Sequence, residues 1–166
     1  EAWHLLGVCL QLQGLFSEAV PAIEKAISLN RTAPHYHYNL GRTHLRLNGW
    51  QEALTVFEKA IALDPLPAEY WVGKAQALDG LERSGEARIL YEQVLAKHPQ
   101  DGITLNIFGL SLKRQGLLEE AADCFRTATA VMPSSAESWN NLGNTLRQMG
   151  LLDQAEEALR RAVILL

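Results

Sequence analysis

The sequence predicts an all-α chain, a solenoid of stacked helical hairpins, on three observations. A 34-residue period runs through the 166 residues, so that Asn39-Leu40-Gly41 returns three periods later as Asn141-Leu142-Gly143. Within a period the apolar residues keep helical spacing, as Trp139, Leu142, Gly143 and Leu146 do at i, i+3, i+4 and i+7. Pro65, Pro99 and Pro133 stand one period apart after the second apolar run of a unit, where proline stops a helix. Five units fit without insertion, at residues 1–33, 34–67, 68–101, 102–135 and 136–166.

Each unit reads as helix, turn, helix. The first carries Trp3 and Gly7 on one helix and Ala19, Ile23 and Ala26 on the other, with Arg31 where later units close on proline. Pro21 is expected in the first turn of that second helix, where a missing N–H costs least. The second unit repeats the set as His37, Gly41, Ala53, Phe57 and Ala60. The third departs most: Lys74 replaces the usual Leu, Val94 the usual Ala, and Glu82 stands where most units have a turn glycine, which predicts looser pairing of its helices. The fourth has Leu105, Gly109, Ala121, Phe125 and Ala128, and the fifth Trp139, Gly143, Ala155, Leu159 and Ala162. Gly or Ala where two helices cross lets them approach, and the large residue fills the adjoining gap. One hairpin cannot bury its apolar face alone, so stacking is obligatory.

Composition narrows the function classes. Apolar content of 48 % with 20 % charged residues is that of a folded chain. A net charge of −4 with a pI near 5.7 argues against nucleic acid and against an anionic membrane as partners. No apolar run approaches the length of a membrane span, and no targeting segment is visible, so a cytoplasmic location is the default expectation. Two cysteines, Cys9 and Cys124, are too few for a disulfide scaffold and are expected to act as small buried hydrophobes. No phosphate loop, nucleophile elbow or HExxH motif occurs, so no catalysis is expected. His37 and His44 share a helical face with the core residues of other units, which reads as packing rather than as a metal site. The carboxylates of the second helices, such as Glu119, Glu120, Asp123, Glu156 and Glu157, read as a solvated outer face. No cofactor and no metal are expected.

The pattern resembles the tetratricopeptide repeat, with its 34-residue period and W-x2-L-G-x2-Y, A-x3-F, A, P signature. The fifth unit carries it as Trp139, Leu142-Gly143, Leu146, Ala155, Leu159 and Ala162. The resemblance implies a right-handed superhelix of about ten helices, whose first helices line a concave binding groove. It places the second, fifth, sixth, ninth, twelfth and thirteenth residues of each unit inward. Among these stand His35, Tyr38, Asn39, Arg42 and Arg46 in the second unit. The fourth offers Asn106, Lys113 and Arg114, and the fifth Asn140, Asn141, Asn144 and Arg147.

These residues point to a protein or peptide ligand. Asn grips a peptide backbone as donor and acceptor, and Arg holds a carboxylate bidentately, so acidic groups are expected toward the Arg and Lys side. The same cations also complement helix C-termini, and that plainer reading stands beside the first. Asparagine is a poor helix former, so three on one short helix need a reason. Gly73 and Gly80 face inward, either as a pocket or as tolerated helix glycines. The lysine–asparagine clamp of some arrays is incomplete here: Leu110 interrupts Asn106 and Asn141, and Val8 follows His4. The opening run is similar to arrays of O-GlcNAc-transferase-like enzymes and of sulfotransferase-type proteins, whose asparagine ladder Asn39 and Asn141 match and Leu5, Gly73 and Ile107 do not.

The chain starts in the second place of a unit and stops after Ala162-Val163-Ile164-Leu165-Leu166, which predicts a fragment of a longer chain. Its last helix is expected to expose Ala158, Val163, Leu165 and Leu166 in some combination. The alternative function is therefore self-assembly into a homo-oligomer through Val163, Leu165 and Leu166.

Overall fold

The structure, a computed structural model, describes residues 1–166 and holds ten α-helices and no strand. They are α1 (Ala2–Leu12), α2 (Phe16–Leu29), α3 (Pro34–Arg46), α4 (Trp50–Leu63), α5 (Ala68–Gly80), α6 (Ser84–Lys97), α7 (Gly102–Arg114), α8 (Leu118–Val131), α9 (Ala136–Gln148) and α10 (Leu152–Ile164). The all-α solenoid class expected from the period is the class observed. No helix is long and apolar enough to cross a membrane. The chain divides into two compact units, Glu1–Leu90 and Tyr91–Leu166.

In the first unit α1 packs on α2 and α3 on α4, while α2 meets α3 and α4 meets α5; the first helices α1, α3 and α5 also touch in turn. In the second unit α7 packs on α8, α8 on α9 and α9 on α10, with α7 reaching α9. Ala19, Ala53 and Ala60 are wholly buried in one unit, Ala121 and Ala128 in the other, which fits their predicted role at helix crossings.

Phe57 is the keystone of the first unit. Its ring is fully buried, and a Cβ on Gly41 would lie 2.7 Å from it. A Cβ on Gly73, one helix further, would press still closer on the same ring. Gly73 therefore marks a close approach of α5 to α4 rather than a pocket. Gly80 is likewise covered by the Trp50 indole.

The hairpin turns share one device. Leu15, Gly49, Arg83, Leu117 and Leu151 each donate a backbone N–H to the carbonyl five residues back, the Schellman closure of a helix end. The residue before each takes a left-handed φ: Gly14 (77°), Asn48 (57°), Glu82 (61°), Gly116 (80°) and Gly150 (79°). The third hairpin thus turns as the others do, with Glu82 in the place of the turn glycine. Its cost is conformational, because a side chain with a Cβ is disfavoured at φ > 0 by about 1 kcal/mol or more. Glu82→Gly is accordingly expected to raise unfolding free energy by about 1 kcal/mol in urea denaturation, without altering any packing contact.

Two sequence irregularities, Lys74 and His37, find local explanations. Lys74, at a place otherwise held by large apolar residues, reaches Glu58 Oε1 at 2.9 Å from half-exposed positions. Trp71 Nε1 donates to the Pro65 carbonyl at 2.9 Å and Trp139 Nε1 to that of Pro133 at 3.0 Å. His37 takes the same place and sets its Nε2 3.4 Å from the Arg31 carbonyl. The packing histidine is thus also a tether to the preceding turn. Burial lowers its pKa, so it is held neutral.

Two expectations are corrected. Pro21 is the sixth residue of α2, beyond the first turn, and its ring is exposed; helix α2 begins at Phe16, earlier than the proline suggested. Cys9 is exposed on α1 and Cys124 half-buried on α8, so neither is a fully buried hydrophobe.

Candidate functional site

The first unit brings five of the predicted residues together on the faces of α1 and α3. His35 is exposed, its ring 4.6 Å from that of Tyr36 and 5.2 Å from that of His4. Tyr38 is half-buried against Tyr70 (5.0 Å between centroids) and Phe57 (6.0 Å), and burial raises its pKa. The Arg42 guanidinium lies over the Tyr38 ring at 5.7 Å, and that of Arg46 over Phe16 at 4.9 Å. Cation–π contact orients both without neutralising either, since no carboxylate pairs with them. Both side chains are exposed, one helical turn apart on α3.

Asn39, Arg42 and Arg46, but not His35 or Tyr38, line a cleft of about 530 Å³ between α1 and α3. Arg42, Arg46 and Asn39 form its polar wall together with Gln11 and Gln76, and Val8, Leu12, Leu45 and Phe16 its apolar part.

A hydrogen-bond network behind the cleft fixes its amides. Gln11 Nε2 donates to the Asn39 carbonyl at 2.8 Å and to Thr43 Oγ1, which itself donates to the Asn39 carbonyl at 2.8 Å. Asn39 Nδ2 lies 2.8 Å from His4 Nε2. His4 is buried and stacks on Tyr36 at 4.3 Å; burial, then the nearby His35, lower its pKa and keep it neutral. Because the amide nitrogen is only a donor, His4 Nε2 must accept, which puts the ring proton on Nδ1. No third ligating side chain joins His4 and His35.

In the second unit the predicted residues do not converge in the same way. Asn106 is buried and donates through Nδ2 to Ser138 Oγ at 2.6 Å, so it links α7 to α9 instead of facing outward. Asn141 is half-buried, and its Nδ2 is buried without a hydrogen-bond acceptor. Asn144 Nδ2 folds back on the Asn140 carbonyl and side-chain oxygen at 3.0 and 3.1 Å. Lys113 is half-exposed and Arg114 exposed on the last turn of α7. Arg147 borders a second groove of about 620 Å³ with Leu152, Leu159, Val163 and Ile164.

On α10 Val163 is 70 % exposed, and just beyond its end Leu166 is 98 % and Leu165 only 39 % exposed. Ala158, expected outward, is buried. Leu152 and Ile164, both exposed, were not foreseen as part of that face. Phe16 was missed as a cleft residue, although its period equivalent, Trp50, hinted at a ring in that place.

A family model of the tetratricopeptide repeat matches residues 38–102 and 108–165, and another matches residues 1–65. The cytochrome c-type biogenesis protein CycH of Bradyrhizobium diazoefficiens is 34 % identical over 121 residues, which are 70 % of this chain and 32 % of that protein. The chain thus spans about a third of the length of this curated relative. The crystal structure of TTC0263, a thermophilic TPR protein of Thermus thermophilus, matches with a TM-score of 0.86 at 23 % identity, covering 98 % of this chain and 89 % of that one. YrrB, a TPR protein with an unusual peptide-binding site, matches with a TM-score of 0.64 at 23 % identity over 98 % of this chain and 84 % of that one.

Proposed function

This chain belongs to the tetratricopeptide-repeat family, a family of protein-interaction scaffolds, and from that premise we propose that it binds an acidic peptide segment in the cleft between α1 and α3. The observation that carries the reading is the pair Arg42 and Arg46, each laid over an aromatic ring and neither matched by a carboxylate of the chain. Two oriented, uncompensated guanidiniums beside an apolar wall suit a carboxylate with an aliphatic neighbour. In the second unit the exposed Asn140, Arg114 and Arg147 and the half-exposed Lys113 serve as further partner contacts. The reading assigns the chain no catalysis of its own, no cofactor and no metal. The peptide-binding site of YrrB supports the class of ligand.

The test is a titration with the capped peptide acetyl-Ala-Leu-Glu-Leu-Ala-amide and its Gln counterpart, on the wild-type chain and on Arg42→Glu plus Arg46→Glu. Equal affinity of the two proteins for the Glu peptide removes the reading.

A second reading, self-association, draws on the apolar face of α10, where Leu152 (66 %), Val163 and Ile164 (78 %) stand open beside Leu159. Light scattering across a concentration series is then expected to show a defined oligomer that Val163→Lys plus Ile164→Lys dissolves. A mass that stays monomeric throughout disposes of it.

A further inference from the structure

The cleft has a polarity that its residue types alone do not reveal. Gln11 and Asn39 each carry a carboxamide able to donate and to accept. In the folded chain both amide nitrogens are turned toward partners in the chain. Gln11 Nε2 gives its two N–H groups to the Asn39 carbonyl and Thr43 Oγ1, and Asn39 Nδ2 gives one of its two to His4 Nε2. The hydrogen bonds of these two side chains run through their nitrogens and leave the oxygens, Gln11 Oε1 and Asn39 Oδ1, as acceptors on half-buried residues that line the cleft. The cleft therefore sets two cations, Arg42 and Arg46, beside two open acceptors.

We infer that His4 sets the selectivity of this cleft by holding the Asn39 amide nitrogen inward, so that the cleft takes an acidic residue through its own main-chain N–H as well as its carboxylate. The inference rests on the acidic-peptide reading above and specifies how the ligand is read. An anion with acceptors only, such as inorganic phosphate, meets the arginines but faces Gln11 Oε1 and Asn39 Oδ1 with lone pairs against lone pairs. An acidic residue within a peptide brings the missing donor on the same unit. His4 touches no ligand; it is a positioning residue, acting through Asn39. Its neutral state is part of the device, because a proton on Nε2 would oppose the Asn39 N–H₂ and favour rotation of that amide, which would turn a donor into the cleft.

The test compares acetyl-Ala-Leu-Glu-Leu-Ala-amide with the same peptide N-methylated at Glu, a change that removes one N–H and leaves every charge in place. Wild type is expected to bind the unmethylated peptide about tenfold more tightly, the worth of one well-made hydrogen bond to an otherwise unpaired acceptor. His4→Phe keeps a ring against Tyr36 but offers Asn39 no acceptor, so the ratio should fall towards one. His4→Gln restores an acceptor and should restore the ratio. A ratio near one in wild type overturns the inference and leaves the acidic-peptide reading standing. An unchanged ratio in a folded His4→Phe overturns the role of His4. No binding of the Glu peptide at all overturns both. Should His4→Phe fail to fold, the ring tautomer of His4, read from long-range ¹⁵N correlations in wild type, decides: a proton on Nδ1 is expected, and a proton on Nε2 refutes the arrangement.

Discussion

Phe57→Ala is expected to lower unfolding free energy by about 4 kcal/mol, as read from urea denaturation, within the range of about 3–5 kcal/mol for truncating a buried phenylalanine. The size of the loss follows from what surrounds the ring. Phe57 is wholly buried, and two of its neighbours are Gly41 and Gly73, which have no side chain to fall into the space. A cavity that cannot collapse keeps its full cost in lost contacts. The effect should reach the cleft between α1 and α3 as well. Tyr38 rests 6.0 Å from Phe57, and Arg42 lies over Tyr38, so loss of the ring loosens the support of one cation. Leu159 occupies the equivalent place of the last hairpin but is only half-buried, beside an open groove. Leu159→Ala is therefore expected to cost about half as much, because less apolar surface returns to water. Equal losses at the two places would mean that the burial of the truncated side chain does not decide the cost.

The repeat was legible from end to end because period and helical spacing are properties of the chain alone. The spacing of Gly41, Ala53 and Phe57 encodes a crossing, and the crossing is there. The left-handed turn at Glu82 was hidden, since glutamate does not advertise a positive φ; only its place, one period after Asn48, does. Pro21 misled for a related reason: proline marks a cheap position in a first turn, and here the hairpin geometry extends α2 one turn earlier at a conformational cost. The candidate site was half legible. Place in the repeat put Asn39, Arg42 and Arg46 on one face, and they share a cleft. The same rule put Asn106 there too, but its fate was set by Ser138, 32 residues on, which offered a buried partner. Likewise the orientation of the Asn39 amide depends on His4, 35 residues earlier. Such pairings join different repeats, and a single repeat's pattern does not contain them.

Arg42→Glu plus Arg46→Glu is expected to weaken binding of acetyl-Ala-Leu-Glu-Leu-Ala-amide about 100-fold, close to 2.7 kcal/mol. A charge-assisted hydrogen bond contributes about 1.5–3 kcal/mol when desolvated, but both guanidiniums are exposed here, so each is discounted to about 1 kcal/mol. Reversal then adds repulsion between the ligand carboxylate and two new ones in the same cleft, and that supplies the remainder. Three controls separate this from a general charge effect. Lys25→Glu plus Lys59→Glu, on the exposed faces of α2 and α4, changes net charge by the same amount and should leave affinity within about twofold. Arg42→Lys plus Arg46→Lys keeps the charge but loses the planar fork and its stacking on Tyr38 and Phe16, and should cost about tenfold. The Gln peptide should respond little to any of these changes, because it brings no charge for the arginines to hold. If the lysine pair on the outer helices weakens binding as much as the arginine pair does, the attraction is long-range and the cleft is not where the acid sits.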